Sequence, residues 1–172
     1  LRVLATLPVL AAPAAADAPA PILVVPRVFE PALCRKLIDY YEDGGGYDSG
    51  FMREIDGKTV GVYDYKHKRR SDKDIEDEGL RNACMLRIAE RVVPEIRKAF
   101  QFNATRIERH IVARYDADSG GHFRAHRDNT TPGTAHRRFA VSVVLNSGEF
   151  EGGRLGFPEF GRQTYSPPPG GA

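Results

Sequence analysis

Apolar residues recur at helical spacing in two stretches of this chain and follow shorter, strand-like patterns elsewhere. Leu33, Leu37, Ile38 and Tyr41 share one face of a helix that Glu30 or Pro31 opens and Gly44-Gly45-Gly46 ends. The longest helical pattern covers residues 74–101. There Leu80, Cys84, Ile88, Ala89, Val92, Val93 and Ile96 form an apolar stripe, with Leu86 off it. Pro94 removes an internal hydrogen bond, so a kink or two abutting helices is expected. Asp72, Asp74, Glu76 and Asp77 stand before this region, where acidic side chains complement the positive end of a helix dipole.

Strand signals occupy the remainder. Residues 22–25 (Ile-Leu-Val-Val) predict a short buried strand ended by Pro26, and a second strand is expected over 59–65. After Gln101 the period shortens. Residues 106–115 read as a long strand with Ile107, Ile111, Ala113 and Tyr115 on one face and His110 on the other, held by a hydrogen bond within the sheet. A turn at 116–121 leads into a strand carrying His122, His126 and Asp128, and a Pro132-Gly133 loop follows. Further strands are expected at 139–145, 149–157 and 163–165. Helices first and several short strands after them predict an α+β domain, with helices packed on an antiparallel sandwich or barrel.

Composition narrows this picture only modestly. The 172 residues and 19.0 kDa suffice for one domain with a real core, and 41% hydrophobic with 28% charged residues is ordinary for a globular chain. A net charge of +2 excludes a strong general electrostatic case for nucleic acid or an anionic membrane as partner. The basic run at residues 66–70 is followed at once by acids and reads as a solvated loop that includes His67; a nucleic-acid surface using it with Tyr63 and Tyr65 is the weaker alternative. Cys34 and Cys84 lie in apolar, helix-like surroundings outside any CxxC pair, which suits buried thiols in a reduced, cytoplasmic setting. Residues 1–20, rich in Ala and Pro, read as a linker or the tail of an upstream domain, and 21–172 as the domain itself.

The candidate chemistry centres on Gly120-Gly121-His122-Phe123-Arg124-Ala125-His126-Arg127-Asp128-Asn129. On a strand, His126 and Asp128 project to the same face. An imidazole and a carboxylate so placed are two thirds of the two-His-one-carboxylate face that holds non-haem Fe(II). The spacing alone carries little weight. With 5 His and 23 Asp or Glu in 172 residues, about 0.7 such matches arise by chance. His122 shares their parity but stands four residues away, which suits a supporting role better than a zinc helix. His136, beyond the Pro-Gly loop, reads as an exposed loop residue.

Context changes that standing. Tyr115, the Gly-containing turn and the run from Phe123 to Asn129 resemble the first metal-ligand strand of the Fe(II)- and 2-oxoglutarate-dependent oxygenases, in particular the catalytic domains of prolyl 4-hydroxylases. Arg137-Arg138-Phe139, Val144-Leu145-Asn146 and Glu151-Gly152-Gly153-Arg154-Leu155-Gly156-Phe157 match further elements in order. Val28-Phe29-Glu30-Pro31-Ala32-Leu33-Cys34 is similar to that family's entry into its first helix, and Arg70-Ser71 to an element near the mouth of its site.

The resemblance implies a double-stranded β-helix (jelly-roll) core with N-terminal helices packed against it, His126 and Asp128 as metal ligands, and Tyr115, Val144 and Leu155 around 2-oxoglutarate. Many relatives carry Tyr where Val144 stands, so the resemblance leaves one cosubstrate hydrogen bond without a donor here. It implies Fe(II), 2-oxoglutarate and O₂ as cofactors, ascorbate as an optional addition, and hydroxylation of an aliphatic carbon in a peptide or small-molecule substrate. No residue after Asp128 matches the family's distal His, nor the basic residue that follows it. The expectation is therefore a chain truncated before that strand and inactive by itself. The alternative is a binding module that keeps the fold without a complete metal site.

Overall fold

The computed structural model of the protein describes residues 19–172. The expected linker at 1–20 lies almost wholly outside them. Helix α1 (Pro31–Gly44) begins with Pro in its first turn, where the missing N–H costs nothing, and stops at Gly45 with φ +63°. It buries Leu33, Cys34, Leu37 and Tyr41, close to the predicted face. Next come strands β1 (Tyr47–Asp48), β2 (Phe51–Ile55), β3 (Lys58–Val62), β4 (Lys68–Arg69) and β5 (Ser71–Asp74). Asp77 then caps helix α2 (Glu78–Arg91), its carboxylate accepting from Leu80 N at 2.6 Å. Pro94 falls in the first turn of a separate helix, α3 (Val93–Phe100), so abutting helices replace one kinked helix.

These three helices close one core with Val28, Phe29, Ile75 and Val112; Cys34 and Cys84 are both buried in it as free thiols. Within the stripe of α2 and α3, Cys84, Val92 and Ile96 are buried, while Ala89 is exposed. No helix among the described residues is long and apolar enough to cross a membrane.

The strands are shorter than their apolar patterns suggest. β6 (Ile111–Arg114) pairs only with β5, and β5 supplies four residues, so the long strand expected at 106–115 is reduced to four. Its faces are also reversed from expectation. Val112 is buried and His110, of the same parity, has its Nε2 buried with no hydrogen-bond partner; Ala113 and Tyr115 are exposed. The hydrogen bond expected for the His110 ring is absent, and only its backbone carbonyl is engaged, by Ile75 N at 2.9 Å. Which side of β6 is inward is set by the helices lying on it, and they cover the Val112 side.

Strand β7 (His122–Phe123) pairs with β4, and β8 (Leu155–Gly156) with β9 (Thr164–Tyr165). Residues 139–143 have no ladder partner among the described residues. Val144 instead bonds Gly170 and Gly171, and Ala172 exchanges two hydrogen bonds with Val25. This places the 22–25 segment beside the last residues described. Gly170, at φ +70°, lies so close to the Phe29 carbonyl that a Cβ would stand 2.2 Å from its oxygen, so only glycine fits. The molecule is therefore mixed α/β with a three-stranded sheet ordered β1-β5-β6 and three two-stranded antiparallel sheets. No closed barrel or jelly roll is identified among the described residues.

Candidate metal-binding pair

Strand β7 turns out of its ladder after Phe123, and Arg124 N bonds the His67 carbonyl at 2.9 Å. The strand predicted to carry His126 and Asp128 side by side therefore ends before them. The two side chains still meet, with His126 Nε2 3.4 Å from Asp128 Oδ1. The Gly120-Gly121 turn ahead of β7 demands glycine at its second position, where a Cβ would stand 2.7 Å from Asp116 N.

Three contacts orient the imidazole. Its Nδ1 lies 2.7 Å from the Arg124 carbonyl, which accepts a bond from an Nδ1 proton, and in that tautomer Nε2 presents its lone pair to Asp128. Its face stacks on Phe123, with centroids 3.6 Å apart and planes 18° from parallel. His67 approaches edge-on, with ring centroids 6.4 Å apart. His67 is thus not a residue of a solvated loop. It is half-buried against Phe51 (4.6 Å) and edge-on to Phe123 (5.5 Å), because the hairpin of β2 and β3 folds over it.

A lone pair and a carboxylate 3.4 Å apart repel unless a cation lies between them. With a proton as that cation, the hydrogen bond to Asp128 raises the His126 pKa above 6.5, and the same bond lowers that of Asp128 below 3.8. The separation is also one that a single divalent ion with bonds of about 2.1 Å spans. The pair therefore fits two positions of an Fe(II) coordination sphere. No group of three His, Cys, Asp or Glu among the described residues is arranged to hold a metal ion.

Beside the pair lies a buried polar network that the residue pattern did not reveal. Asp72, fully buried, accepts two bonds from Arg70, Nε to Oδ1 at 2.6 Å and Nη2 to Oδ2 at 2.7 Å. Ser49 Oγ also donates to Asp72 Oδ2, at 2.5 Å. Lys68 Nζ donates to Ser49 Oγ at 2.7 Å and to the Gly50 carbonyl at 2.6 Å, and stands 4.9 Å from the Phe123 ring centre. Desolvation pulls the Lys68 pKa from 10.5 down to about 8. Lys68 and Arg70 thus turn inward from the basic run at 66–70, leaving Lys66 and Arg69 as its exposed cations.

The other expected site residues are spread out. Tyr115 is half-exposed, its hydroxyl 3.5 Å from Arg70 Nη1, so it shares the Arg70 side of the network. Val144 joins the backbone ladder with Gly170 and Gly171, and Leu155 is exposed on β8. His122 pairs through its backbone with Arg69 and places Nδ1 2.8 Å from the Gly120 carbonyl, a structural role. His136 is exposed beside Glu108, as its loop position predicts. Arg137 bonds Glu108 through Nε at 2.5 Å and reaches the Asp128 carbonyl with Nη1 at 3.4 Å.

One feature of this neighbourhood had a readable signal. Asp56-Gly57, with φ +51° and +73°, is the type I′ turn that joins β2 to β3, and its dipeptide is a strong hairpin signal. The His67 environment had none, since it depends on which strand lies across from it.

Two imidazole rings, a carboxylate and a buried cation–anion network thus converge around Phe123. No protein-family model, curated protein or solved structure matches the chain.

Proposed function

We propose that this chain belongs to an Fe(II)- and 2-oxoglutarate-dependent oxygenase and supplies His126 and Asp128 to the metal, in a domain of the prolyl 4-hydroxylase type with a jelly-roll core. The observation that carries the reading is the convergence of His126 Nε2 and Asp128 Oδ1 at 3.4 Å, with Nδ1 committed to a backbone carbonyl. That is the tautomer a metal-bound imidazole needs, held by the kind of partner that commonly fixes it. Support comes from the ordered series of family-like motifs before and after the pair. When bound, Fe(II) with 2-oxoglutarate and O₂ supplies the oxidising power that hydroxylates an aliphatic C–H bond and releases succinate and CO₂.

The chain's own residues then have distinct tasks. His126 and Asp128 hold two metal positions. Tyr115, on the Arg70 side, offers a phenol to the cosubstrate, with Val144 and Leu155 as apolar lining. The hairpin of β2 and β3 and the 129–137 loop meet where Gly133 N bonds Thr59 Oγ1 at 3.0 Å, and together they frame the approach of a peptide or small-molecule substrate. Buried free thiols at Cys34 and Cys84 agree with a reduced, cytoplasmic location.

The absence of a third metal ligand among the described residues favours one other reading, a binding module in which His126 and Asp128 form an ordinary ion pair. One experiment separates the two. In the natural protein that carries this sequence, Fe(II)-dependent succinate release from 2-oxoglutarate is measured for the wild type, His126→Ala and Asp128→Ala. Activity lost in both variants supports the oxygenase. Absence of Fe(II) binding by the wild type, or binding indifferent to both substitutions, leaves the binding module.

A further inference from the structure

The geometry points to Phe123 as the positioning residue for His126: its ring sets the plane of the imidazole and thereby the direction of Nε2. This rests on the reading of His126 as a metal ligand only for its consequence, because the stacking itself is independent of any metal. A histidine side chain has two free torsions, and fixing Nε2 requires both to be held. The Nδ1 bond to the Arg124 carbonyl holds one ring edge at a point, about which the ring can still tilt. Stacking on Phe123 at 3.6 Å and 18° removes the tilt.

Phe123 is itself immobilised more thoroughly than its half-buried position would suggest. Its backbone pairs with Lys68 in the β4–β7 ladder. His67 meets the ring at 88°, Phe51 lies 6.3 Å away centre to centre, and the Lys68 ammonium stands 4.9 Å from the ring centre. A cation near an aromatic ring is attracted by its quadrupole, so the buried Lys68 has a favourable partner in Phe123 as well as in Ser49 and Gly50. The arrangement transmits order from the buried Asp72 network, through Lys68 and Phe123, to the imidazole. A leucine or methionine at 123 would fill much of the space but offer no flat face.

The test uses the natural protein that carries this sequence, and two readouts. Imidazole nitrogen NMR at a pH where His126 is neutral reports which ring nitrogen carries the proton, without any metal. Co(II) titration, followed by its visible absorption, reports metal affinity. Wild type and Phe123→Tyr are expected to show the Nδ1–H tautomer and equal affinity. Phe123→Leu, or Phe123→Met should the leucine variant fail to fold, is expected to show mixed tautomers and roughly tenfold weaker Co(II) binding, in the range found for residues that orient metal ligands. A folded Leu or Met variant with an unchanged tautomer and unchanged affinity would overturn the assignment, as would a Tyr variant that loses both. If the wild type binds no Co(II), the metal reading fails while the tautomer measurement still decides the role of Phe123.

Discussion

The helical half and the half that holds the candidate site are built on different physics. Helices α1, α2 and α3 bury Leu37, Cys84, Val92 and Ile96 against Val28 and Val112, a contiguous apolar core. Residues 120–165 contain two-residue strands and exposed ion pairs, such as Arg127 with Glu159, both of whose oxygens accept at 2.7 Å. Thr131 and Thr134 are the buried residues of that region, and they satisfy each other, with hydroxyl oxygens 2.8 Å apart. Apolar burial is additive and tolerant of direction, whereas a paired imidazole and carboxylate need direction and little burial. The Asp72 network lies between the two halves, and it joins the rigidity of the first to the geometry of the second.

Substitutions at that junction are the most disruptive way to test the division. Asp72→Ala leaves the Arg70 guanidinium buried without its carboxylate. It should destabilise the fold by about 3–5 kcal/mol, read by urea unfolding, and should disturb both halves together. A loss below about 1 kcal/mol would show that the halves are not coupled there. Leu37→Ala, at a residue 2% exposed in α1, should cost about 2–4 kcal/mol, while the His126 imidazole signals of the protein that remains folded stay unchanged.

Lys68 sharpens the comparison through pH. Its folded pKa of about 8 lies below the unfolded 10.5, so the unfolded chain binds the extra proton between those values and stability rises with pH across that window. Relative to Lys68→Met, the wild type should gain on the order of 2–3 kcal/mol between pH 8 and 10.5. A flat difference across that range would place the ammonium in solvent.

The smallest effect belongs to the pair itself. His126, whose folded pKa is raised, contributes fully below its unfolded value of 6.5, and the contribution is lost as pH rises through the folded value. Asp128, whose folded pKa is lowered, contributes above its unfolded value of 3.8, and the contribution is lost as pH falls through the folded value. Both are present between 3.8 and 6.5. Because the side chains are 32% and 47% exposed, a double-mutant cycle there should give less than about 1 kcal/mol. A larger coupling would make the pair a structural element and weaken the division between the halves.

What was legible in the residues follows from the range of the forces involved. Helix α1, its glycine stop and the break at Pro94 depend on contacts within one or two turns, and the residue pattern contains them. His126 and Asp128 were singled out by their spacing together with the ordered motifs around them and do meet, although the strand assumed to align them ends at Phe123. Strand lengths and faces were not legible, because a strand extends only as far as its partner. β6 stops with the four residues of β5, and its inward side is the one the helices cover, which reversed the faces read from Ile111 and Tyr115.

The sequence by itself thus determined the helices and their stops and singled out His126 and Asp128 as a candidate pair, since those features depend on neighbours along the chain. Only the tertiary structure decided that Lys68 and Arg70 turn inward, that His67 leaves its loop for an aromatic cluster, and that Phe123 lies flat against His126. Those arrangements require β4 to lie beside β7 and the β2–β3 hairpin to fold over both. Their hydrogen bonds join residues tens of positions apart, at separations on which local periodicity is silent.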